Sequence, residues 1–253
     1  GSTDGSGYKI KEKYPHVTVI RISENIGFSR AVNKGIKKST SEYIFIGNDD
    51  ILFEKNSLLR MVEYIRNHPD VGVLGGKIFY KSAPRKICST GYYMNKWTGN
   101  IYTGKKANEI QEPDWVQGCA LLTTKKVLRK IGILDENFVL LFDDFDLCMR
   151  MRKAGFKVVY LPKAIFWHGE SITVDLKKPY KYYHWYKSKL RFIIKHFFVA
   201  NIISIMFLQL FIVMPYRALI LRDGRLIPFV KGLLWNITHL AQTFSDRKKM
   251  QAI

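Results

Sequence analysis

Short apolar runs and helix-spaced apolar positions succeed one another along the first part of the chain. Residues 41–47 and 71–74 have the length and apolar content of strands that are buried on both faces of a sheet. Between them, residues 57–68 place leucine, methionine, valine and isoleucine at helical spacing, after a capping Asn56. This alternation of strand and helix predicts an α/β fold, in which ligands collect where the strands end.

Three further elements and a glycine turn are predicted before residue 41. Residues 8–13 suit a short helix, and residues 16–22 alternate like a strand. Residues 24–36 combine a glycine turn with a helix that Ser29 can cap. A helix N-terminus after a glycine is a natural seat for an anionic group, although many strand-to-helix turns share this pattern.

The strand at residues 41–47 ends in three side chains that carry oxygen, Asn48, Asp49 and Asp50. Hard oxygen ligands at the carboxyl end of a strand suit Mg²⁺ or Mn²⁺ that carries a diphosphate. A plain Asn-Asp turn has the same sequence without any metal. The pattern alone leaves both interpretations open, and we expect Asp49 to face solvent.

A second acidic group, Asp143, Asp144 and Asp146, opens a helix that is expected to end at Gly155. Carboxylates this close repel one another. We therefore expect a bound cation, a helix N-terminus or a role in proton transfer to account for their presence together. Simple helix capping accounts for them equally well. Apolar residues alternate with charged ones along this helix, which predicts one buried face and one charged face.

The middle of the chain predicts a hairpin and a short helix. Residues 81–113 are rich in Gly, Lys, Tyr and Thr and contain short alternating runs, which is typical of a hairpin insertion. We expect this insertion to line one wall of a cleft. Residues 124–131 predict a basic helix with Gly132 as its C-terminal cap.

The composition changes after residue 171. Residues 177–195 are basic and aromatic, and residues 197–214 form an apolar run at the lower limit of length for crossing a bilayer. A helix lying in the membrane interface and a core helix are the alternatives. Flanking cations and aromatic residues favour contact with a membrane. Residues 226–244 predict a second interfacial helix or the return half of a helical hairpin.

The charge of the chain calls for an anionic partner. Its 253 residues include 41 Lys and Arg against 21 Asp and Glu, which gives a formal net charge of +20. A phosphorylated substrate, an anionic membrane surface and nucleic acid all fit this charge. We expect no nucleic acid, because no recognised nucleic-acid motif occurs and the acidic group would repel a polyanion. The three cysteines form no CxxC pair, which favours a reducing cytosolic compartment.

The chain resembles the family-2 inverting glycosyltransferases, especially bacterial rhamnosyltransferase-like members. The motifs that carry the resemblance occur in the family's order, at residues 1–6, 25–35, 48–50, 115–120, 131–136, 142–147 and 168–171. Several motifs in order are far more specific than any one of them. The resemblance implies a GT-A fold, a nucleotide-sugar-binding α/β domain expected at residues 1–176. Membrane-associated helices are expected at residues 177–253.

The resemblance also implies roles for single residues. An inverting transfer needs a base that deprotonates the acceptor hydroxyl and a cation that holds the departing nucleoside diphosphate. Asp144 matches the base, and Asp143 is the second candidate. Asp50 and His168 are the expected ligands of Mg²⁺ or Mn²⁺, with Asn48 as a weaker contributor. The expected donor-binding residues are Asn25, Gly27, Asn33, Asn48, Asp49 and Asp50, and the expected acceptor-binding residues are Trp115, Gly118 and Asp143.

Two of these expectations carry open alternatives. The face of Trp115 suits the C–H surface of a sugar, and a core tryptophan is equally consistent with the sequence. Asp143 and Asp146 should raise the pKa of Asp144, whereas the helix dipole should lower it, so the direction of its pKa shift stays open.

We therefore expect a transfer of sugar, with inversion, from a nucleoside-diphosphate sugar to a hydroxyl of a glycan or lipid-linked acceptor. The expected setting is cell-envelope polysaccharide synthesis at the cytoplasmic face of the membrane, with peripheral or C-terminal attachment. In the family, a β-α-β unit of at least about 30 residues precedes the turn matched by residues 1–6. Its absence predicts an incomplete nucleotide side, and both a fragment and a truncated relative fit. A noncatalytic membrane-associated scaffold and a nucleic-acid-binding protein are the alternative functions.

Overall fold

The structure, a computed structural model, describes residues 1–169 and 178–251. Glu170 and Ser171 of the last motif, and the expected domain boundary at residues 176–177, lie outside the described residues. The strands are β1 Tyr43–Gly47, β2 Ile51–Phe53, β3 Val71–Tyr80, β4 Ile87–Ser89, β5 Tyr92–Met94, β6 Ile101–Thr103, β7 Ala120–Thr124 and β8 Lys157–His168. The helices are α1 Ser6–Lys13, α2 Phe28–Lys38, α3 Ser57–Asn67, α4 Lys125–Ile131, α5 Asp143–Lys153, α6 Lys178–His196, α7 Val199–Leu221, α8 Leu226–Thr238 and α9 Leu240–Gln251.

A mixed sheet forms the centre of the molecule. Its strand order is β1-β7-β3-β8-β2, and β4 pairs with β3. Only β3 and β8 run parallel, while the other pairs in this sheet are antiparallel. Residues 71–76 of β3 are buried, as expected for a central strand with both faces covered. A Cβ on Gly75 would lie 2.4 Å from Cβ of Val116, so this glycine is required where the chain packs closely against the strand.

Two hydrophobic clusters cover the two faces of this sheet. Val73, Leu121 and Val158 point to the face that carries α4 and α5. Their sequence neighbours Leu74, Leu122 and Val159 point to the face that carries α3. This alternation follows the two-residue period of a strand. The observed architecture is therefore α/β with helices on both faces, as predicted.

Several local predictions are confirmed by the structure. Helices α1 and α3 occupy the predicted segments, and β5 pairs with β6 as the expected hairpin. In α4, the Thr124 hydroxyl oxygen accepts a hydrogen bond from the backbone N–H of Val127, and Gly132 ends the helix with φ +83°. Gly155, with φ +85°, follows the end of α5. These elements rest on local turn and capping signals, which do not depend on distant partners.

Two predictions near the N-terminus are wrong. Residues 16–22 form no strand, and no strand among the described residues pairs with them, so their alternating pattern has no ladder to join. Ser29 does not cap α2, because the helix begins one residue earlier, at Phe28. The buried Ser29 hydroxyl instead donates to the carbonyl oxygen of Phe138 at 2.7 Å. Asn56 holds the predicted cap position of α3, but its side chain makes no capping hydrogen bond.

The basic and aromatic helix α6 is packed inside the protein, which corrects the expectation that it lies on a membrane. Phe192 stacks on Phe145 of α5 with ring centroids 4.0 Å apart, and it belongs to the same hydrophobic cluster as the sheet. Lys195 and the fully buried Arg191 pair with Asp135 at 2.8 and 2.9 Å. The Arg191 and Lys195 charges of α6 are therefore balanced by carboxylates within the protein, and the buried second half of this helix extends the core of the first 169 residues.

The helix α7 is largely exposed and apolar. Its mean hydropathy is 1.9, and by length and composition it could cross a membrane. The helix extends beyond the predicted apolar run, which ends at residue 214, and continues through Pro215 to Leu221. Wider π-helical turns at Gln209–Val213 and Arg217–Leu221 flank the proline. Such turns accommodate a ring that would clash with a carbonyl of a regular α-helix.

Candidate active site

Strand pairing brings Asp50 and His168 together from distant parts of the sequence. Ile51 of β2 lies opposite His168 of β8, which places Asp50 at the same end of the sheet. Oδ1 of Asp50 lies 3.3 Å from Nε2 of the buried His168, and the side-chain nitrogen of Asn48 lies 3.2 Å from the same Nε2. Asp49 is exposed, as expected.

The Asp50 and His168 pair has the chemistry of a partial metal site. Oδ1 of Asp50 is buried and has no hydrogen-bond partner within the part of the chain that the structure describes. Such an acceptor is unfavourable unless a donor or a cation compensates it. Carboxylate oxygen and imidazole nitrogen together suit Mn²⁺. The described residues offer no group of three or more His, Cys, Asp or Glu, so a metal here would need further ligands from outside this group.

A left-handed turn places the acidic residues at the start of α5. Leu141 and Phe142 have backbone φ angles of +66° and +67°, which residues other than glycine rarely adopt. Such strain is found where a functional group has to be aimed. Asp144 follows this turn, and its Oδ1 accepts a hydrogen bond from the backbone N–H of Phe145 at 2.8 Å.

Gly118 fixes the other oxygen of Asp144. Its backbone N–H donates to Oδ2 of Asp144 at 2.8 Å, and a Cβ at position 118 would lie 3.0 Å from Cβ of Asp144. The next residue, Cys119, accepts a hydrogen bond from the backbone N–H of Asn48 at 3.1 Å. One short segment of backbone therefore connects Asp144 with the strand end that carries Asn48 and Asp50.

The two leading carboxyls of α5 have raised pKa values. Burial raises the pKa of Asp144, and hydrogen bonds from Gly118 and Phe145 oppose this shift. Burial and the neighbouring Asp144 charge raise the pKa of Asp143 well above its usual range. The direction that the sequence left open is thus upward. A pKa raised toward neutrality is what a carboxylate needs to accept a proton during catalysis.

Asp146 differs from the other two carboxylates of this group, Asp143 and Asp144, because it is fully buried and paired with cations. Arg150 Nε lies 2.8 Å from Oδ2, and Lys195 Nζ and His196 Nε2 lie 2.6 and 2.8 Å from Oδ1. Although burial acts in the opposite direction, the Arg150 and Lys195 charges hold the pKa of Asp146 well below its usual range. This corrects the predicted charged outer face of α5, since Asp146 anchors the helix to α6 and Arg150 anchors it to the backbone carbonyls of residues 131–133.

A cavity of about 280 Å³, here called the Asp144 cavity, opens beside this carboxylate. Trp115 lines it, but Trp115 is also stacked between Tyr92 and Phe145, with centroid distances of 4.9 and 3.7 Å. Both faces of the indole are covered, so the stacking on a sugar that we expected is replaced by core packing. Only the edge of Trp115 remains for an acceptor.

The donor-side residues divide into two groups. Asn25 and Gly27 line a cavity of about 520 Å³ together with residues 1–4, and Oδ1 of Asn25 accepts a hydrogen bond from the N–H of Gly27. Asn33 is buried and turned away from this cavity. Its side chain donates to the Leu134 carbonyl and the Glu136 carboxylate and accepts from the Leu134 N–H. Asn33 therefore ties α2 to the chain before α5, which corrects its expected contact with the donor.

Sequence reasoning missed two residues of the Asp144 cavity. Gln117 lines the cavity, and its buried Oε1 has no hydrogen-bond partner in the described chain. It stands inside the Trp-Val-Gln-Gly segment that carried the resemblance, so the signal was present. Trp185 also lines the cavity, with its ring centroid 5.3 Å from that of Phe142. Its signal was hidden, because the basic and aromatic composition around it favoured a membrane surface.

Comparisons with known proteins relate this chain to glycosyltransferases. The chain is 26% identical over 198 residues to an N-acetylglucosaminyl-diphospho-decaprenol L-rhamnosyltransferase of Mycobacterium tuberculosis, covering 68% of this chain and 64% of that relative. Among solved structures, S. aureus TarS 1-349 has a TM-score of 0.57 at 13% identity, covering 92% of this chain and 67% of that one. GalNAc-T7 with UDP, GalNAc and Mn²⁺ has a TM-score of 0.56 at 13% identity, covering 82% and 46%.

These likenesses establish the fold as a mixed α/β, GT-A-like glycosyltransferase fold. The sequence profile described as "Glycosyltransferase like family 2" matches residues 8–181, which is more than half of the chain. The chain spans about two thirds of the length of the mycobacterial relative. The protein accordingly belongs to the glycosyltransferase like family 2.

Proposed function

We propose that this protein transfers a sugar, with inversion, from a nucleoside-diphosphate sugar to a hydroxyl of a glycan or lipid-linked acceptor. The single observation that carries the proposal is the position of Asp144. Its carboxylate borders an open cavity, two backbone N–H groups hold it, and burial raises its pKa. A relative named as a rhamnosyltransferase that acts on a diphospho-decaprenol glycan supports rhamnose and a cell-envelope acceptor.

Asp144 acts as the general base. The acceptor oxygen forms a bond to the anomeric carbon while the bond from that carbon to the diphosphate oxygen breaks, and the hydroxyl proton passes to Asp144. The hydrogen bonds from Gly118 and Phe145 fix the carboxylate in one orientation, which lowers the entropy cost of reaching the reacting geometry. Asp143, whose pKa is raised well above its usual range by burial and by the neighbouring Asp144 charge, orients the acceptor.

Asp50 and His168, with Asn48 beside them, would hold Mg²⁺ or Mn²⁺ on the donor side. When bound, the cation supplies positive charge for the departing nucleoside diphosphate. The unpartnered Oδ1 of Asp50 next to the imidazole supports this assignment. A structural neighbour that contains UDP and Mn²⁺ supports a divalent cation of this kind. Asn25 and Gly27 would contact the nucleotide from the neighbouring cavity.

The exposed apolar surface of α7 supports work at the cytoplasmic face of a membrane. Phe198, Phe211 and Leu219 expose 67 to 78% of their surface, far more than a residue packed in a core would. Together with the excess of cations, such a surface suits an anionic leaflet, with peripheral or C-terminal attachment. An enzyme held there meets lipid-linked acceptors directly.

The test is transfer by the full chain with a panel of nucleotide sugars, measured as released nucleoside diphosphate and as product stereochemistry. We expect Asp144→Asn to lower kcat by about 10²–10⁴-fold, the usual contribution of a general base, and to leave donor binding intact. Asp70→Asn makes the same chemical change at a surface carboxylate and serves as the control. Wild-type turnover in Asp144→Asn would refute the assignment of the base.

A further inference from the structure

Trp185 lines two cavities at once. One is the Asp144 cavity, and the other is a cavity of about 320 Å³ lined by Lys178, Lys181, Tyr182, Trp185 and Arg225, here called the basic cavity. The two cavities thus meet at a single indole. A ligand that lies along Trp185 would contact both cavities.

The sequence spacing explains why these side chains line up. Lys178, Lys181, Tyr182 and Trp185 occupy positions i, i+3, i+4 and i+7 of α6, which share one face of a helix. With a rise of 1.5 Å per residue, Lys178 stands about 10 Å along the helix from Trp185. This spacing corresponds to the length scale of a sugar joined to phosphate groups rather than of a phosphate alone.

The basic cavity is built to hold an anion. Three cations line it, and no carboxylate is among the described residues of its lining. Arg225 lies over the ring of Tyr182, with its guanidinium carbon 4.3 Å from the centroid. The carboxylate nearest to Arg225 in the described structure is Asp223, which also pairs with Arg217 and so is shared between two guanidinium groups. Arg and Lys side chains around one cavity favour phosphate oxygens.

An apolar surface begins where the basic cavity ends. Arg225 stands between the end of α7 and the start of α8, and the flanking side chains are exposed. These are Leu219, Ile220, Leu221, Leu226 and Ile227. Exposed apolar side chains that flank a cation in this way favour contact with a lipid or a partner. The order along the molecule is therefore a proton-accepting carboxylate, a cavity, a cluster of cations and an apolar surface.

We propose that the basic cavity binds the diphosphate of a polyprenyl-diphosphate-linked acceptor. The acceptor sugar occupies the Asp144 cavity, and the prenyl chain lies on the apolar surface around Arg225. The assignment rests on the proposed function, because it takes Asp144 as the base for the acceptor hydroxyl. A diphosphate is favoured over the headgroup of an ordinary membrane lipid, because the cations line a cavity that shares Trp185 with the Asp144 cavity, instead of spreading over a flat surface.

The test measures binding of farnesyl diphosphate to the full chain in detergent, with EDTA present so that metal-dependent diphosphate binding is removed. We expect Lys181→Gln combined with Arg225→Gln to weaken binding by roughly tenfold or more, as expected for the loss of charge-assisted hydrogen bonds. Lys231→Gln combined with Lys249→Gln removes two exposed cations elsewhere and should leave binding unchanged. Farnesol, which lacks the diphosphate, should bind weakly and equally to all variants.

Arg225 also contacts Tyr182 and Asp223, so its replacement can lower the stability of the chain, and thermal unfolding of the double variant checks for this. Lys178→Gln provides a second variant at an exposed position. A loss of farnesyl diphosphate binding in Lys178→Gln with unchanged unfolding supports the proposal. Unchanged binding in both cavity variants, or an equal loss in the surface control, overturns it. An equal loss of binding to phosphatidylglycerol vesicles overturns it in favour of a general headgroup site.

The readout separates this inference from the proposed function. A chain that discriminates farnesyl diphosphate through Lys178, Lys181 and Arg225 but transfers no sugar supports the site and refutes the transferase activity. Transfer to a lipid-free acceptor that stays normal in the cavity variants, together with undiminished farnesyl diphosphate binding, refutes the site and leaves the activity standing.

Discussion

The backbone N–H of Gly118 donates a hydrogen bond to Oδ2 of Asp144 at 2.8 Å, across 26 residues of sequence. A Cβ at position 118 would lie 3.0 Å from Cβ of Asp144, so only glycine lets the backbone come this close without displacing the carboxylate. The same segment contacts Asn48 through Cys119. Gly118 therefore sets the position of the proposed base relative to the donor side.

We predict that Gly118→Ala lowers kcat by up to about 10²-fold, because the added Cβ displaces the Asp144 side chain and a misplacement of about 1 Å costs that much. Donor binding should change little, because Asn48 and Asp50 remain in place. The measurement is kcat together with the Kd for the nucleotide sugar. Gly35→Ala is the matched control, since nothing lies within 4 Å of its Cβ and alanine suits the interior of α2. Equal kcat values for Gly118→Ala and wild type would contradict the prediction.

The Asp50 and His168 pair predicts metal-dependent stabilisation by nucleotide. A ligand at one hundred times its Kd raises the free energy of unfolding by about 2.7 kcal/mol. We expect Mn²⁺ with UDP to raise the Tm of the wild-type chain and to lose most of this effect in His168→Ala, because one of two expected protein ligands is gone. His16→Ala removes an exposed imidazole and should keep the full shift. An undiminished shift in His168→Ala would exclude His168 as a ligand.

The elements that could be predicted from the sequence are those whose turns, caps or periodicity lie within a few residues of one another. The helix of residues 57–67, the hairpin of Tyr92–Met94 with Ile101–Thr103, and the end of α5 before Gly155 were all predicted, because turns, caps and periodicity act within a few residues. The resemblance identified the strand end at Asn48 and the start of α5, since its motifs mark both places. Strand pairing then brought His168 to Asp50, which no local pattern could show.

The errors arose where a distant partner decides the environment. The cations of α6 indicated a membrane surface, but Asp135 and Asp146 lie far away in sequence and balance them inside the protein. Trp115 was predicted to stack on a sugar, but Tyr92 and Phe145 cover the two faces of its ring. Residues 16–22 alternate correctly for a strand, yet a strand needs a neighbour, and none of the described strands is beside them.

The buried His196 makes stability depend on pH. Burial lowers its pKa to about 4, and the neutral imidazole donates its Nε2–H to Asp146 at 2.8 Å. In the unfolded chain the pKa of histidine is about 6.5, so the unfolded state binds the extra proton between about pH 6.5 and pH 4. The free energy of unfolding should therefore fall as the pH is lowered through this window, by up to about 1.4 kcal/mol per pH unit.

The measurement is denaturant unfolding at several pH values between about 7 and 4, with His196→Gln as the comparison. Glutamine can still donate to Asp146 but does not titrate, so the variant should show a flatter dependence on pH. Asp146 acts in the same direction but in a lower pH window, because its depressed pKa leaves its contribution intact above the unfolded pKa of about 3.9 and removes it only at lower pH. Identical slopes for the two proteins would show that His196 is not the titrating group.

The exposed face of α7 predicts binding to anionic vesicles. Phe207 and Phe211 are exposed, with ring centroids 5.1 Å apart, and burying each ring in a membrane is worth roughly 1.5 to 3 kcal/mol. We expect Phe207→Glu combined with Phe211→Glu to reduce flotation with phosphatidylglycerol vesicles well over tenfold. Leu58→Glu combined with Leu59→Glu adds the same charge to the exposed face of α3 and should leave flotation nearly unchanged. Equal loss in both pairs would assign the effect to net charge, whereas no loss in either would remove α7 from the membrane contact.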